Sequence, residues 1–302
     1  MDARCIEGAT AEVHAPPLPP GRYMELPGRG TTFVRESQGL PGAPTLILLH
    51  GLGATASLNW FTSFPALEHR FHVVAPDLRG HGRGIRAATP FTLEDAADDV
   101  AALADALELG RFVAVGYSLG GPIAKLLWRR HRDRVSGLVL CATSSSFRAT
   151  PLEHMRFAFL PLLEQLCRVV PEGVARRVIA QALRSHLEPT GFVDWALREL
   201  LLRDPRAIVQ AAAALGRYRV EGWIREIDVP TSALVHTRDQ LVPPRRQFEL
   251  ATAIPGARVH FVDADHFAVV RDTQPFVRAL VGAIHDVTFA PAAETGAIRR
   301  AS

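Results

Sequence analysis

Ser118 closes an apolar run and is ringed by glycines, in Val115-Gly116-Tyr117-Ser118-Leu119-Gly120-Gly121. A serine hydroxyl is a poor nucleophile near neutral pH. It becomes a good one beside a base, and the base works best when an acid orients it. His266, in Asp263-Ala264-Asp265-His266-Phe267, is the candidate base, and Asp239, in His236-Thr237-Arg238-Asp239-Gln240, is the candidate acid. The chain order Ser, Asp, His is one in which this chemistry occurs. The chemistry would be attack on a carbonyl carbon, a covalent acyl intermediate, and release by water. Each residue also has a plainer reading. Ser118 fits a glycine-rich turn, Asp239 fits a loop turn, and His266 is one of 12 histidines. Asp263 and Asp265 are rival acids, but they stand too close in sequence to reach the ring of His266 from behind. The three together, in order, are far more specific than any one of them.

Short apolar runs recur along the chain: Leu46–Leu49, Val73–Ala75, Phe112–Val115, Leu138–Leu140, Ala233–Val235 and Val259–Val262. Such runs suit strands of a parallel sheet buried on both faces. Ser118, Asp239 and His266 each fall just past the end of one run, at the sheet edge where open α/β sheets place their sites. A helix is expected from Leu119 to about His131, so Gly116-Tyr117-Ser118-Leu119-Gly120 is a G-x-S-x-G segment between a strand and a helix. A turn that sharp strains the serine backbone, and side chains at Gly116 and Gly120 would collide. A carbonyl under attack also needs two N–H donors for its oxygen. The Leu119 N–H comes with the turn. The Leu52 N–H, in His50-Gly51-Leu52-Gly53-Ala54-Thr55, has glycines on both sides that permit close approach. This G-x-G lacks the third glycine of a dinucleotide loop, so no nucleotide cofactor is expected.

Helical patterns alternate with the strands. Thr92 is placed to cap a helix whose Ala96, Val100, Leu103 and Leu107 share one face and which Gly110 should end. Pro275 should open the last helix, with Phe276, Leu280 and Ile284 as its stripe. Arg22–Leu26 and Thr31–Arg35 read as an edge hairpin. Alternation of this kind argues an α/β fold with a mostly parallel, doubly wound sheet. From Arg148 to Arg225 only helical segments appear: Met155–Val169, Val174–Ser185, Phe192–Leu202 and Arg206–Tyr218. The expected organisation is therefore a disordered Pro-rich arm at 1–21, a core at 22–147 and 226–287, a helical lid at 148–225 inserted between two strands, and a flexible tail at 288–302. The lid carries 12 arginines against 8 acids, which reads as a solvated face. Among its aromatic residues and those at its edge, Phe147 and Phe157 are candidates to line an apolar substrate pocket.

Composition narrows the classes. The net charge is +3, but Lys125 is the only lysine and the arginines are scattered among acids, so nucleic acid is not an expected partner. No run is long enough to span a membrane, and the N-terminal segment lacks the apolar core of a secretory leader. Cys5, Cys141 and Cys167 are odd in number and widely spaced, so neither a disulfide framework nor a metal site is expected, and a reducing cytoplasm suits them. Nothing in the pattern indicates an oligomer.

The chain resembles the α/β-hydrolase family over roughly Arg22 to Val287. The resemblance is carried by His50-Gly51-Leu52-Gly53, Asp77-Leu78-Arg79-Gly80-His81-Gly82, Gly116–Gly121, Asp239 with Val242-Pro243, and His266-Phe267. It implies Ser118 as nucleophile, His266 as base, Asp239 as acid, Leu52 and Leu119 N–H groups as oxyanion hole, and structural roles for Asp77, Arg79 and His81. It also implies that no cofactor or metal is needed. Two positions depart from the common pattern: Gly84 stands where many relatives carry serine or threonine, and Asp265 where many carry glycine. The expected function is hydrolysis of an ester, thioester or lactone of a small to medium apolar acid, with a small molecule as the binding partner. The fold also hosts carbon–carbon bond hydrolases, enol-lactonases of aromatic degradation, and triad-bearing small-molecule receptors. Dehalogenases and epoxide hydrolases are disfavoured, since relatives of those kinds carry aspartate where Ser118 stands.

Overall fold

Leu46 and Leu48 pack into one apolar cluster, while Ile47 and Leu49 pack into another. Val73 and Val74 part in the same way, as do Val113 and Ala114. Successive side chains of a strand point to opposite faces, so a sheet covered on both sides needs unbroken apolar runs. That is why these strands show no polar alternation. The structure, a computed structural model, describes residues 15–86, 89–148, 150–169, 192–202, 204–220, 222–271 and 273–289.

Eight strands form one sheet in the order β1-β2-β4-β3-β5-β6-β7-β8. They are β1 Gly21–Leu26, β2 Gly30–Ser37, β3 Thr45–Leu49, β4 His72–Pro76, β5 Phe112–Tyr117, β6 Val135–Cys141, β7 Thr231–His236 and β8 Arg258–Val262. The hairpin β1–β2 is antiparallel, and β2 meets β4 antiparallel. From β4 through β8 every pairing is parallel. The strand order reverses at β3, between β4 and β5. In open α/β sheets that reversal opens a crevice at the strand C-termini, and β5 ends there at Tyr117.

The helices are α1 Ala56–Trp60, α2 Phe64–Leu67, α3 Leu93–Ala106, α4 Gly120–Arg130, α5 Pro151–Ala158, α6 Leu160–Val169, α7 Val193–Leu201, α8 Pro205–Arg217, α9 Pro244–Ala253 and α10 Thr273–Thr288. Thr92 caps α3 as expected, its side chain accepting from Asp95 N–H at 3.0 Å. The end of α3 differs from expectation. The helix stops at Ala106, and Glu108 rather than Gly110 takes the positive φ, at 51°. Glu108 and Leu109 N–H groups close the turn on Asp105 and Ala104 carbonyls, so the glycine two residues on is not needed there. The last helix opens at Thr273, two residues before Pro275, which still falls among the first-turn positions that lack an intrahelical acceptor.

Between β6 and β7 the described segments are helical, α5 to α8, with one isolated bridge from Ser146 to Arg219. The run Met155–Val169 is two helices broken at Phe159. The expected helix Val174–Ser185 lies outside the described residues, as do positions 1–14 of the arm and the tail beyond 289. Two prolines of the arm, Pro16 and Pro19, are buried. The Pro19 and Pro20 carbonyls accept from the Arg35 side chain at 2.7 Å and Glu36 N–H at 3.0 Å. The arm's last residues thus hold to β2. Among the described residues no helix is long and apolar enough to cross a membrane.

Candidate active site

Ser118 follows β5 with φ at 51°, in the left-handed region. For a residue with a Cβ this conformation costs about 1–2 kcal/mol, and the surroundings hold it in place. Ser118 N–H donates to Cys141 O at 2.9 Å, and Ser118 O accepts from Gly121 N–H at 3.0 Å and Thr143 Oγ1 at 2.9 Å. The glycines are steric necessities. A Cβ on Gly116 would overlap Gly120 O, and one on Gly120 would overlap Leu49 O of the neighbouring strand.

His266 Nε2 lies 3.0 Å from Ser118 Oγ, and His266 Nδ1 lies 2.6 Å from Asp239 Oδ2. The carboxylate fixes the ring's tautomer: Nδ1 carries the proton toward Asp239, and Nε2 is left to accept from Ser118. Asp239 is itself held from several sides. Its Oδ1 accepts from Leu241 and Val242 N–H at 2.8 Å, and its Oδ2 also accepts from Gln247 Nε2 at 3.0 Å. Gln247 reaches back from α9, where its Oε1 takes His236 N–H at 3.0 Å. Behind the ring, Tyr117 Oη donates to His266 O at 2.8 Å. Burial holds the Tyr117 phenol well above its ordinary pKa, so the donor proton stays on.

The rival acids are engaged elsewhere. Asp263 takes Thr237 Oγ1 at 3.1 Å and the Arg238 guanidinium at 3.1 Å. Asp265 turns to Phe267 N–H at 2.7 Å and to Arg271 at 3.7 Å, while its carbonyl takes His236 Nδ1. His236 is buried and held neutral, its pKa pushed down to about 4 by desolvation.

The loop after β3 comes up beside the serine, close enough that a Cβ on Gly51 would lie 3.6 Å from Ser118 Cβ. Leu52 is half-exposed at the tip of this loop, and Leu119 is buried at the N-terminus of α4. Among the described residues neither the Leu52 nor the Leu119 N–H has a protein acceptor. The N-terminal dipole of α4 adds a positive field at that point.

Asp77, Arg79, His81 and His50 are buried and held by hydrogen bonds. His50 Nε2 accepts from Leu78 N–H at 2.9 Å, and burial, with His81 next, pushes its pKa down to about 3. Arg79 pairs with Asp99 through two contacts at 2.7 and 2.8 Å. Asp77 accepts from Ala56 N–H and Arg83 N–H, both at 2.8 Å.

The two aromatic candidates are apolar side chains in or against the core, Phe147 buried and Phe157 partly buried. Phe147 is in the packed core cluster that also holds Leu119, and Phe157 packs on Gly216 of α8. An open cavity of about 480 Å³ lies elsewhere, lined by Leu126, Arg129, Arg217, Tyr218 and Trp223 among others and by none of Ser118, His266 and Asp239. Among the described residues no cluster of His, Cys, Asp and Glu is grouped to hold a metal ion. Sequence reasoning missed Tyr117, Thr143 and Gln247. Tyr117 was in view as the x of G-x-S-x-G, but nothing in a sequence reports that its hydroxyl reaches a residue 149 positions on.

The fold agrees with what the chain is similar to. A family model described as "alpha/beta hydrolase fold" matches residues 44–273. A pimeloyl-[acyl-carrier protein] methyl ester esterase of Neisseria meningitidis is 32% identical over 232 residues, 74% of this chain and 87% of the relative. A putative carbamate hydrolase RutD of Stutzerimonas stutzeri is 27% identical over 252 residues, 80% of this chain and 91% of the relative. A solved hydrolase from Pseudomonas aeruginosa superposes with a TM-score of 0.74 at 25% identity, over 87% of this chain and 98% of that one.

Proposed function

Because the chain belongs to the α/β-hydrolase fold family, we propose that it is a serine hydrolase cleaving a carboxylic ester, thioester or lactone of a small to medium apolar acid. The observation that carries this reading is the continuous line from Asp239 Oδ2 through the His266 ring to Ser118 Oγ, at 2.6 and 3.0 Å. The named activity of the Neisseria relative, on a methyl ester, supports an ester as substrate.

In this reading Ser118 Oγ bonds to the carbonyl carbon while its proton passes to His266 Nε2. The tetrahedral oxygen gains charge and is held by the Leu52 and Leu119 N–H groups. The bond to the leaving oxygen or sulfur breaks, and His266 returns its proton to the departing group. Water then gives a proton to His266 Nε2 as its oxygen bonds to the acyl carbon, the bond from that carbon to Ser118 Oγ breaks, and His266 returns the proton to Ser118 as the acid leaves. Asp239 keeps the imidazole oriented and stabilises its charged form. Each oxyanion donor contributes on the order of 10²- to 10³-fold in rate. Phe147 and Phe157 are the proposed apolar lining for the acyl group. No cofactor takes part, and the proposed setting is the cytoplasm.

Initial rates over p-nitrophenyl esters from acetate to decanoate, with acyl thioesters and lactones alongside, test this reading. Turnover with an optimum in the short to medium range supports it, and the optimum measures the pocket. Turnover confined to dienoic ketoacids would make the protein a carbon–carbon bond hydrolase. Slow turnover on every substrate, with tight ligand binding and a change of shape, would make it a receptor.

A further inference from the structure

Helix α7, from the inserted segment, lies along α1 of the core. At one end Phe192 and Trp195 meet the Phe61 ring edge-on, with centroids 6.4 and 5.3 Å away. One turn further on, Glu199 is 5% exposed, and its Oε2 accepts from Thr55 Oγ1 at 2.5 Å. Its two oxygens also take the two terminal nitrogens of Arg83, each at 2.9 Å. Just past α7, Leu202 O accepts from Arg86 at 2.7 Å. Trp195 and Glu199 are four residues apart and so share one face of the helix.

Thr55 ends the loop that carries Leu52. Its Oγ1 accepts from Leu58 N–H at 3.0 Å, capping α1. At the other end of the loop, Gly51 N–H donates to Asn59 Oδ1 at 3.0 Å. The Leu52 amide is therefore strung between two side-chain anchors on α1. A threonine hydroxyl has one proton to give, and here it goes to Glu199, which leaves the oxygen lone pairs turned toward Leu58. Arg83 is itself fixed, its N–H on Asp77 Oδ2 at 2.8 Å. A buried ion pair such as Arg83–Glu199 is weak support for stability, since apolar residues of similar size often serve as well. Its distinct use is to set a register.

We propose that Glu199 is a positioning residue. It reaches from the inserted helices to Thr55 and sets the place of the Leu52 N–H, so that this oxyanion donor is aimed only when α7 is docked on α1. The inference rests on the function proposed above, in which Leu52 N–H receives the oxyanion. It makes the inserted segment part of the assembly of the site and not only its cover.

The test uses the full chain with Glu199→Gln and Glu199→Ala, beside Thr55→Ser, Thr55→Val and the Thr55→Val/Glu199→Gln double variant. The readouts are kcat and KM on the best p-nitrophenyl ester, inhibition by a trifluoromethyl ketone of the same acyl chain, and amide hydrogen exchange over residues 51–59. Glu199→Gln should lower kcat about 10-fold or more with KM within about twofold, as for an interaction made in the transition state. It should weaken the ketone by a similar factor and speed exchange over 51–59. Thr55→Ser should stay near wild type, and the double variant should be no worse than Thr55→Val alone. Unchanged exchange, an unchanged kcat, a loss confined to KM, or additive losses would each overturn the proposal. Ser118→Ala, run in parallel, reports on the proposed function separately. An ester rate that survives it would defeat that reading, while the exchange result still decides whether Glu199 holds the loop.

Discussion

Tyr117 Oη donates to the backbone carbonyl of His266 at 2.8 Å, so the residue before the candidate nucleophile holds the loop of the candidate base. The contact joins the ends of β5 and β8, which are separated in the sheet by β6 and β7. Tyr117→Phe keeps the ring contacts and removes only this bond. The expected outcome is a fall in kcat of several-fold with a stability loss of about 1 kcal/mol. Steady-state kinetics and urea unfolding of the variant check both.

Gln247 donates to Asp239 Oδ2 at 3.0 Å and Val242 O at 2.6 Å, and accepts from His236 N–H at 3.0 Å. Gln247→Leu fits a similar volume and leaves those groups short of a partner in a buried place. Loss of a hydrogen bond to a charged group costs about 1.5–3 kcal/mol. The variant should unfold at lower urea and turn over at least about 10-fold more slowly. An unchanged kcat would show that Leu241 and Val242 N–H groups hold Asp239 without it.

The reach of the sequence ends at side chains that bridge elements. Ser118, Asp239 and His266 were legible because each follows an apolar run that makes a strand, and strand ends gather at one sheet edge. The doubly wound sheet was legible because unbroken runs such as Leu46–Leu49 fit burial on both faces. Gln247, Tyr117 and the Thr55–Glu199 contact were not, since each depends on packing between distant segments. The end of α3 was misplaced because a glycine is only the cheapest carrier of a positive φ, and Glu108 carries it here.

Glycine positions separate steric need from mere tolerance. A Cβ at Gly120 would strike the Leu49 carbonyl, which is held in the sheet, whereas a Cβ at Gly110 would meet nothing within 4 Å. Gly120→Ala should cost about 2 kcal/mol or more and displace the Ser118 turn. Gly110→Ala should be neutral or stabilise by up to about 1 kcal/mol. Chemical unfolding of the pair, side by side, checks the contrast.

Burial of basic groups makes stability rise with pH. Lys125 is fully buried, with Nζ 2.8 Å from Ser144 O, and desolvation lowers its pKa from 10.5 to about 7. Between pH 7 and 9 the folded chain sheds this proton while the unfolded chain keeps it. The unfolded state then binds more protons, and stability climbs by up to about 1.4 kcal/mol per pH unit. Above pH 9 the buried Cys141, Tyr117 and Tyr218, whose pKa values burial raises, oppose the trend. Lys125→Met should lack the climb from 7 to 9. Below pH 6.5 the same sign recurs, since His50 and His236 stay neutral in the fold down to about 3 and 4. Stability should therefore fall as pH drops from 6.5 toward 4. Urea midpoints across this range, wild type beside Lys125→Met, measure both windows.

If Ser118 attacks a carbonyl with His266 as its base, ester hydrolysis must depend on the Ser118 hydroxyl. The measurement that tests it most directly is the initial rate on a p-nitrophenyl ester for wild type and Ser118→Ala, with folding of the variant verified by circular dichroism. Removing a nucleophile that works as part of a unit should lower the rate by about 10³-fold or more. A Ser118→Ala variant that hydrolyses the ester as fast as the wild type would show that Ser118 is not the nucleophile.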